Sequence, residues 1–230
     1  MPSGTDPCVR IGLVDSGVAG AAGPRIANSA AFVLDGDDLV RVAAEPDRLG
    51  HGTAVAAILA ECMPDAALYV AQVFGARHTT TALQVAAAID WLVAQDVQVI
   101  NLSLGLREDR PVLARACARA IDAGVLLCAA SPARGAPVWP AAYPGVLRMT
   151  GDARCARDEI SALDSAQADF GAHVLPLDGA RVGAGASIGC AWLTGRVGRL
   201  LAEGCAGRID AVREALTRSA RHHGAERRLR

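Results

Sequence analysis

Three polar residues stand at positions from which a chain could assemble a site for acyl transfer. Asp15 follows the apolar run 9–14, His51 opens the alanine-rich run 51–62, and Ser187 follows a Gly-Ala pair. A serine hydroxyl is a weak nucleophile that needs an imidazole to take its proton. The imidazole in turn needs a carboxylate to fix its tautomer. Taken singly, Asp15 also suits a turn, His51 a helix start and Ser187 a helix N-cap, but together they supply all three side-chain types.

The elements that must position these residues alternate between short apolar runs and alanine-rich helical runs. This alternation is typical of a parallel sheet with helices on both faces. In such a sheet the loops after the strands hold the site. The predicted strands cover 9–14, 67–73, 97–102, 125–130, 143–149 and 173–177, and the predicted helices cover 51–62, 81–95, 112–123, 188–203 and 209–219. The side chains expected to face inward from the helix 81–95 are Leu83, Ala87, Ile89 and Trp91.

Composition limits the classes of partner. The 230 residues suit one α/β domain, and the 52% hydrophobic content allows a sizeable core. With 24 acidic and 23 basic residues, the net charge of −1 gives no electrostatic reason to expect nucleic acid or an anionic membrane as a partner. We expect a single domain over 1–230, with a basic C-terminal tail at about 218–230.

The seven cysteines favour a reducing compartment. They are odd in number, scattered and without a CxxC pair, which argues against a zinc site or a redox motif. The N-terminus lacks the pattern of a signal peptide, and no apolar run approaches the roughly 20 residues of a membrane span. The sequence therefore predicts a cytoplasmic protein without a membrane segment, and no cofactor or metal is expected. The acidic run 35–38 is interpreted as a solvated turn rather than a calcium loop.

Several segments in this order resemble the subtilisin-like serine protease family. VDSGV at 14–18 is similar to the aspartate motif of that family, HGTAVAAIL at 51–59 to its histidine motif, and GASIGCAWLTG at 185–195 to its serine motif. INLSLG at 100–105 resembles the substrate-binding strand, and WPAAYPGVL at 139–147 a segment before a late strand. The resemblance implies a three-layer α/β fold with a mostly parallel central sheet. It also implies a catalytic triad of Asp15, His51 and Ser187.

The resemblance further implies how a peptide substrate is bound. Its backbone is expected to pair with Ser103, Leu104 and Gly105. The wall of the pocket for the residue before the scissile bond is expected at 103–106 and its floor at 128–135, including Ala129 and Ala130. Because these two segments contain no charged residue other than Arg134, a small or apolar residue is favoured before the scissile bond.

The sequence departs from the family at the oxyanion hole. The family completes this hole with an asparagine, and the matching segment VLLCAASPARG at 125–135 contains none. We expect the backbone N–H of Ser187 as one donor, with Ser131 or an amide of 133–135 in place of the missing side chain. Pro132 has no N–H to donate. In the serine motif, Ala186, Gly189, Ala191 and Trp192 stand where the family has threonine, alanine, proline and histidine.

These features predict an intracellular serine endopeptidase, which we expect to act as a dedicated processing protease. A weak oxyanion hole and the expected absence of a prodomain favour removal of a leader peptide from one modified subunit or precursor, with remote binding contributing to rate. The alternative is a catalytically impaired relative that binds peptides as a scaffold or chaperone. A nucleotide-binding domain is disfavoured because no GxGxxG turn follows the first strand.

Overall fold

The computed structural model describes residues 8–20, 25–180 and 185–226. Its strands form one sheet in the order β10-β8-β9-β7-β6-β5-β1-β4-β2-β3. These strands are β1 (Arg10–Asp15), β2 (Ile26–Asp35), β3 (Asp38–Val42), β4 (Ala67–Gln72), β5 (Val99–Leu102), β6 (Leu126–Ala130), β7 (Val146–Gly151), β8 (Ile160–Ala162), β9 (Phe170–Ala172) and β10 (His222–His223).

Five helices of the described chain cover the two faces of this sheet. They are α1 (His51–Cys62), α2 (Ala82–Val93), α3 (Pro111–Asp122), α4 (Ala186–Ala202) and α5 (Ile209–Ser219). Helices α1, α4 and α5 pack into one buried apolar cluster, and α2 and α3 pack into a second cluster on the opposite face. The result is the expected three-layer fold with a mostly parallel sheet.

The parallel centre of the sheet explains where the polar residues meet. Strand β1 pairs in parallel with both β4 and β5, and β5 pairs in parallel with β6. Parallel strands present their carboxyl ends at the same edge, where open α/β sheets bind ligands. Asp15 ends β1, and Ser103 comes directly after β5. Two residues far apart in sequence are therefore brought to one edge of the sheet.

The structure differs from the sequence analysis at several places, including the short strand β8, which was not expected. A hairpin of β2 and β3 forms the edge of the sheet, where no strand was expected, and the acidic run 35–38 supplies its turn. The predicted strand at 173–177 was wrong, since the strand lies at Phe170–Ala172 and pairs with β7 and β8. Leu83 was expected to face inward but is 39% exposed, because it lies in the first turn of α2 on the side away from the sheet.

The predicted basic tail includes the end of α5 and the strand β10. Arg218 lies in the last turn of α5 and pairs with Glu214 at 3.0 Å. His222 and His223 add a short strand to the sheet by pairing with β8. Arg227, Arg228 and Arg230 lie outside the described residues.

No helix of the described chain has the length and apolar character needed to cross a bilayer.

Candidate active site

A buried carboxylate and a partly exposed imidazole form the first half of the site. Asp15 ends β1 with a side chain that is 1% exposed, and His51 is the first residue of α1. His51 Nδ1 lies 2.8 Å from Asp15 Oδ1 and 3.0 Å from Oδ2. Ser16 adds two hydrogen bonds to Asp15 Oδ1, donated by its backbone N–H at 2.8 Å and its hydroxyl at 3.2 Å. The carboxylate is thus held in place and can fix the tautomer of His51.

This pairing changes the basicity of the imidazole. The hydrogen bond with Asp15 raises the pKa of His51 above its ordinary value of 6.5, against the opposing effect of burial. The negative charges of Asp15 and Asp47 act in the same upward direction. His51 is therefore a stronger base than a free histidine, as proton abstraction from a hydroxyl requires.

Asp47 fixes the start of the helix that carries His51. The residue before α1, Gly50, makes no side-chain cap. Asp47 Oδ1 instead accepts from the N–H groups of Leu49 and Gly50 at 2.9 and 3.0 Å, and its Oδ2 accepts from the N–H and hydroxyl of Thr53 at 2.9 and 2.7 Å. Burial alone would raise the pKa of Asp47, but the hydrogen bonds from Thr53 and Leu49 hold it below its ordinary range. Its charge therefore persists near His51.

Gly52 allows α1 to approach the end of β1. A Cβ at this position would overlap the carbonyl oxygen of Gly17 and lie 3.2 Å from Asp15 Cβ. The N–H of Gly52 donates to Ser16 Oγ at 2.9 Å. Only a residue without a side chain fits between the helix and the turn, so Gly52 sets the distance between the two elements that carry Asp15 and His51.

Ser187 lies in the first turn of α4, beside the segment after β5. Its hydroxyl donates to the carbonyl oxygen of Ser103 at 3.0 Å, and the Ser103 hydroxyl donates to the carbonyl oxygen of Ser187 at 2.9 Å. This reciprocal pair ties the N-terminus of α4 to the expected substrate strand. Transfer of the Ser187 proton to His51 would require the hydroxyl to leave Ser103 by rotation about its Cα–Cβ bond.

One open cavity of about 390 Å³ brings the three predicted catalytic residues together. Asp15, His51 and Ser187 all line it, as do the three expected substrate-binding residues Ser103, Leu104 and Gly105. The other lining residues are Ser16, Leu49, Phe74, His78, Thr79, Thr80 and Leu106. The cavity is open enough to admit an extended peptide alongside the 103–105 segment.

The predicted floor and the second oxyanion donor lie elsewhere. Ala129, Ala130 and Ser131 are 0%, 6% and 4% exposed, and none of them lines the cavity of the triad. The Ser131 hydroxyl donates to the carbonyl oxygen of Gln167 at 2.6 Å, and its N–H donates to that of Met149 at 2.7 Å. Ser131 could serve an oxyanion only after the bond to Gln167 breaks. The N–H of Ser187, in a first helical turn where no intrahelical carbonyl accepts it, is the donor already in place.

Sequence reasoning missed part of this site. Ser16 and Asp47 hold Asp15 and His51, and the loop from Phe74 to Thr80 forms one side of the cavity. The N-cap of α1 is Gly50, so Asp47, three residues earlier, stands outside the usual capping position and was not marked by the sequence. No sequence pattern marked the loop, because its role depends on the packing of β4 beside β1.

Among the described residues, the cysteines and acidic side chains form neither a second nucleophile nor a metal site. All seven cysteines are free, and five of them are buried. Cys190 follows Ser187 by about one helical turn, and burial raises the pKa of its thiol to about 12, so this thiol is not a second nucleophile. Among the described residues no group of His, Cys, Asp or Glu side chains is arranged to hold a metal ion.

The sequence of this chain is similar to those of known proteases. Residues 8–171 match the sequence model of the subtilase family. A thermostable alkaline protease of Halalkalibacterium halodurans is 32% identical over 154 residues, which make up 61% of this chain and 40% of that protein. The chain thus spans about two fifths of the length of this curated relative.

Solved structures show the same fold. A psychrophilic protease superposes with a TM-score of 0.67 at 21% identity, covering 95% of this chain and 86% of the other. The prenylagaramide maturation protease PagA superposes with a TM-score of 0.58 at 19% identity, covering 84% of this chain and 74% of the other.

Proposed function

Because the chain belongs to the subtilase family, we propose that it is a serine endopeptidase with Ser187 as nucleophile, His51 as general base and Asp15 as the orienting carboxylate. The observation that carries this proposal is the convergence of the three side chains on one cavity, with His51 Nδ1 bonded to Asp15 at 2.8 Å. A binding module has no need of a buried carboxylate that fixes an imidazole beside a serine.

The reaction would proceed by acyl transfer. On substrate binding, the Ser187 hydroxyl leaves the Ser103 carbonyl, gives its proton to His51 Nε2 and attacks the scissile carbonyl carbon. The protonated His51, stabilised by Asp15, then gives the proton to the leaving amine. A water molecule, deprotonated by the same imidazole, hydrolyses the ester at Ser187 and regenerates the hydroxyl.

The oxyanion would be stabilised first by the N–H of Ser187, which the dipole of α4 favours. A second donor would come from Ser131 or from an amide of the 133–135 loop. In subtilisin, loss of the side-chain donor of this hole costs about 10²–10³ in turnover. A comparable deficit here would have to be offset by binding interactions remote from the scissile bond.

We propose that the substrate is one dedicated partner, a modified subunit or precursor from which a leader peptide is removed. The weakened oxyanion hole favours this, since remote contacts with a single partner can supply what the local site lacks. The fold is shared with PagA, a prenylagaramide maturation protease. The serine-motif departures also resemble those of the leader-removing protease that matures quinohaemoprotein amine dehydrogenase, whose cross-linked small subunit is our candidate partner.

A cytoplasmic location is part of this proposal. All seven cysteines are free thiols, which suits a reducing compartment. A narrow substrate range would also protect the other proteins of that compartment.

The alternative is a peptide-binding scaffold without catalytic activity. Two observations favour it: the segment 125–135 has no asparagine, and the Ser187 hydroxyl is bonded to Ser103. A scaffold would bind an extended peptide along 103–105 without acylating Ser187.

A fluorophosphonate probe separates these two functions. We expect the wild-type protein to be labelled at Ser187, with Ser187→Ala and His51→Ala as unlabelled controls that keep the fold. Absence of labelling at Ser187 in the folded wild-type protein would contradict the endopeptidase function. Incubation with candidate precursors, followed by mass spectrometry, tests the leader-removing role. Efficient hydrolysis of casein and of generic chromogenic peptides would contradict a dedicated substrate.

A further inference from the structure

The expected floor of the pocket for the residue before the scissile bond is closed. Strand β5 pairs in parallel with β6, with Leu102 opposite Ala129. The residues that continue β6 therefore lie beside the 103–105 segment, where the floor was expected. Ala129 and Ala130 are buried, and neither lines the cavity of the triad. This expected floor is therefore not open to the cavity of the triad.

The 137–139 segment lies beside the expected substrate strand. Trp139 forms an antiparallel bridge with Leu106, in which each N–H donates to the other carbonyl oxygen at 2.9 and 2.7 Å. The bridge places Val138 directly against Gly105. A Cβ on Gly105 would lie 3.0 Å from Val138 Cγ2 and 3.1 Å from Val138 Cβ. The isopropyl group of Val138 is therefore packed against the backbone of the expected substrate strand.

Val138 lies next to the lining of one cavity and itself lines a second. Gly105 and Leu106 line the cavity of the triad. Val138 lines a second cavity of about 610 Å³ together with Ser131, Ala141 and Ala142. Val138 is thus in contact with Gly105, a lining residue of the triad cavity, and borders the second cavity with its neighbours.

We propose that Val138 restricts the residue on the acyl side of the scissile bond to glycine or alanine. An extended peptide bonded along 103–105 directs successive side chains to opposite sides, and the side chain next to the attacked carbonyl is directed toward Gly105 and Val138. A hydrogen atom or a methyl group fits there, whereas a longer side chain meets the isopropyl group. This inference rests on the proposed function and adds its substrate class.

The restriction has a physical cause in packing. Val138 is half-buried and its backbone is held next to the bridge between Leu106 and Trp139, so its Cα and Cβ cannot move away from Gly105 without disturbing two backbone hydrogen bonds. Each additional methylene that a pocket cannot accommodate changes selectivity by about 10–200-fold. Exclusion of a benzyl side chain by at least about 100-fold relative to a methyl group is the expected result.

Labelling with substituted phosphonates tests this without knowledge of the natural substrate. Diphenyl phosphonates derived from alanine and from phenylalanine react with a serine nucleophile. A bond forms between Ser187 Oγ and phosphorus, phenoxide leaves, and His51 carries the hydroxyl proton to it. Intact-protein mass spectrometry gives the rate for each reagent, and a small fluorophosphonate without a side chain reports whether Ser187 is reactive at all.

We expect the wild-type protein to react with the alanine reagent at least about 100-fold faster than with the phenylalanine reagent. In Val138→Gly this ratio should fall by at least about tenfold, because the isopropyl group that packs against Gly105 is removed. Val138→Thr keeps the volume of the side chain and should keep the ratio. Val138→Ala gives a smaller fall in the same direction and replaces the glycine variant if that variant does not fold.

Two outcomes would overturn the inference. The first is equal labelling of the wild-type protein by both reagents. The second is an unchanged ratio in folded Val138→Gly or Val138→Ala. If the fluorophosphonate fails to label the wild-type protein, the proposed function itself is wrong and this inference falls with it. Labelling by the fluorophosphonate together with either overturning outcome leaves the proposed function intact and removes only the role of Val138.

Discussion

Replacing Gly52 with alanine should destabilise the protein, although helix propensity alone predicts the opposite. Gly52 is the second residue of α1, and an alanine within a helix is favoured over glycine by about 1 kcal/mol. A Cβ at this position, however, would overlap the carbonyl oxygen of Gly17 and lie 3.2 Å from both Cβ and Oδ1 of Asp15. The first of these contacts is with backbone, so no side-chain rotation can relieve it.

The magnitude follows from the difference between these two effects. Overpacking a closely packed site costs about 1–3 kcal/mol, and relief by moving the helix also weakens the bond from the Gly52 N–H to Ser16 Oγ. We expect Gly52→Ala to lower the free energy of unfolding by about 2 kcal/mol, since the overlap exceeds the gain in propensity. A displacement of about 1 Å between His51 and Asp15 should also slow labelling of Ser187 about 100-fold.

Urea unfolding and fluorophosphonate labelling measure the two effects separately. Gly207→Ala is the matched control, because its Cβ would meet only Leu201 Cδ2 at 3.8 Å. This control should change the free energy of unfolding by less than about 0.5 kcal/mol and leave labelling unchanged. If Gly52→Ala were as stable as the wild-type protein and as quickly labelled, the close approach of α1 to β1 would not determine the geometry of the Asp15–His51 pair.

Three further predictions concern the chemistry of the site. Ser187→Ala and His51→Ala should each abolish nearly all acylation, and the double variant should be no worse than either one; additive losses in single-turnover assays would contradict a concerted role. Because the pKa of His51 is raised and only the neutral imidazole accepts a proton, the labelling rate should rise with pH through a midpoint above that of a free histidine, and Asp47→Asn should lower this midpoint by removing a nearby negative charge. A midpoint that does not move in folded Asp47→Asn would show that this charge does not act on His51. Pro132→Asn should raise turnover if it supplies the missing oxyanion donor, with Pro137→Asn as a control that should not.

Local patterns in the sequence predicted much of the framework. The bounds of α1 and α5 were predicted to the residue, because α1 is an alanine-rich run that ends just before Pro64 and α5 has clear apolar periodicity. The parallel strands β1, β4, β5 and β6 were found within two residues of their predicted ends. Such runs can be identified because burial on both faces demands uninterrupted apolar residues.

Elements with weaker local patterns were missed. The strands β2 and β3 form an exposed edge hairpin, where Val33, Val40 and Val42 are more than a third exposed. Although β2 contains the apolar run 30–34, only three residues of the two strands are buried, so their existence depends on pairing of β2 with β4 and of β3 with β2. The position of β9 was misjudged for the same reason, since three residues gain their strand conformation only from their neighbours in the sheet.

The sequence by itself determined which residue types stand at the ends of the central strands and helices, and hence the chemistry of Asp15, His51 and Ser187. That information is local, because a strand or helix depends mainly on residues within a few positions. Only the tertiary structure decided that the Ser187 hydroxyl is bonded to Ser103 and that Ser131 donates to Gln167. It also decided that Val138 packs against Gly105. These contacts join residues more than 30 positions apart, and their distances depend on how whole elements pack, at a scale of a few tenths of an ångström that no sequence pattern encodes.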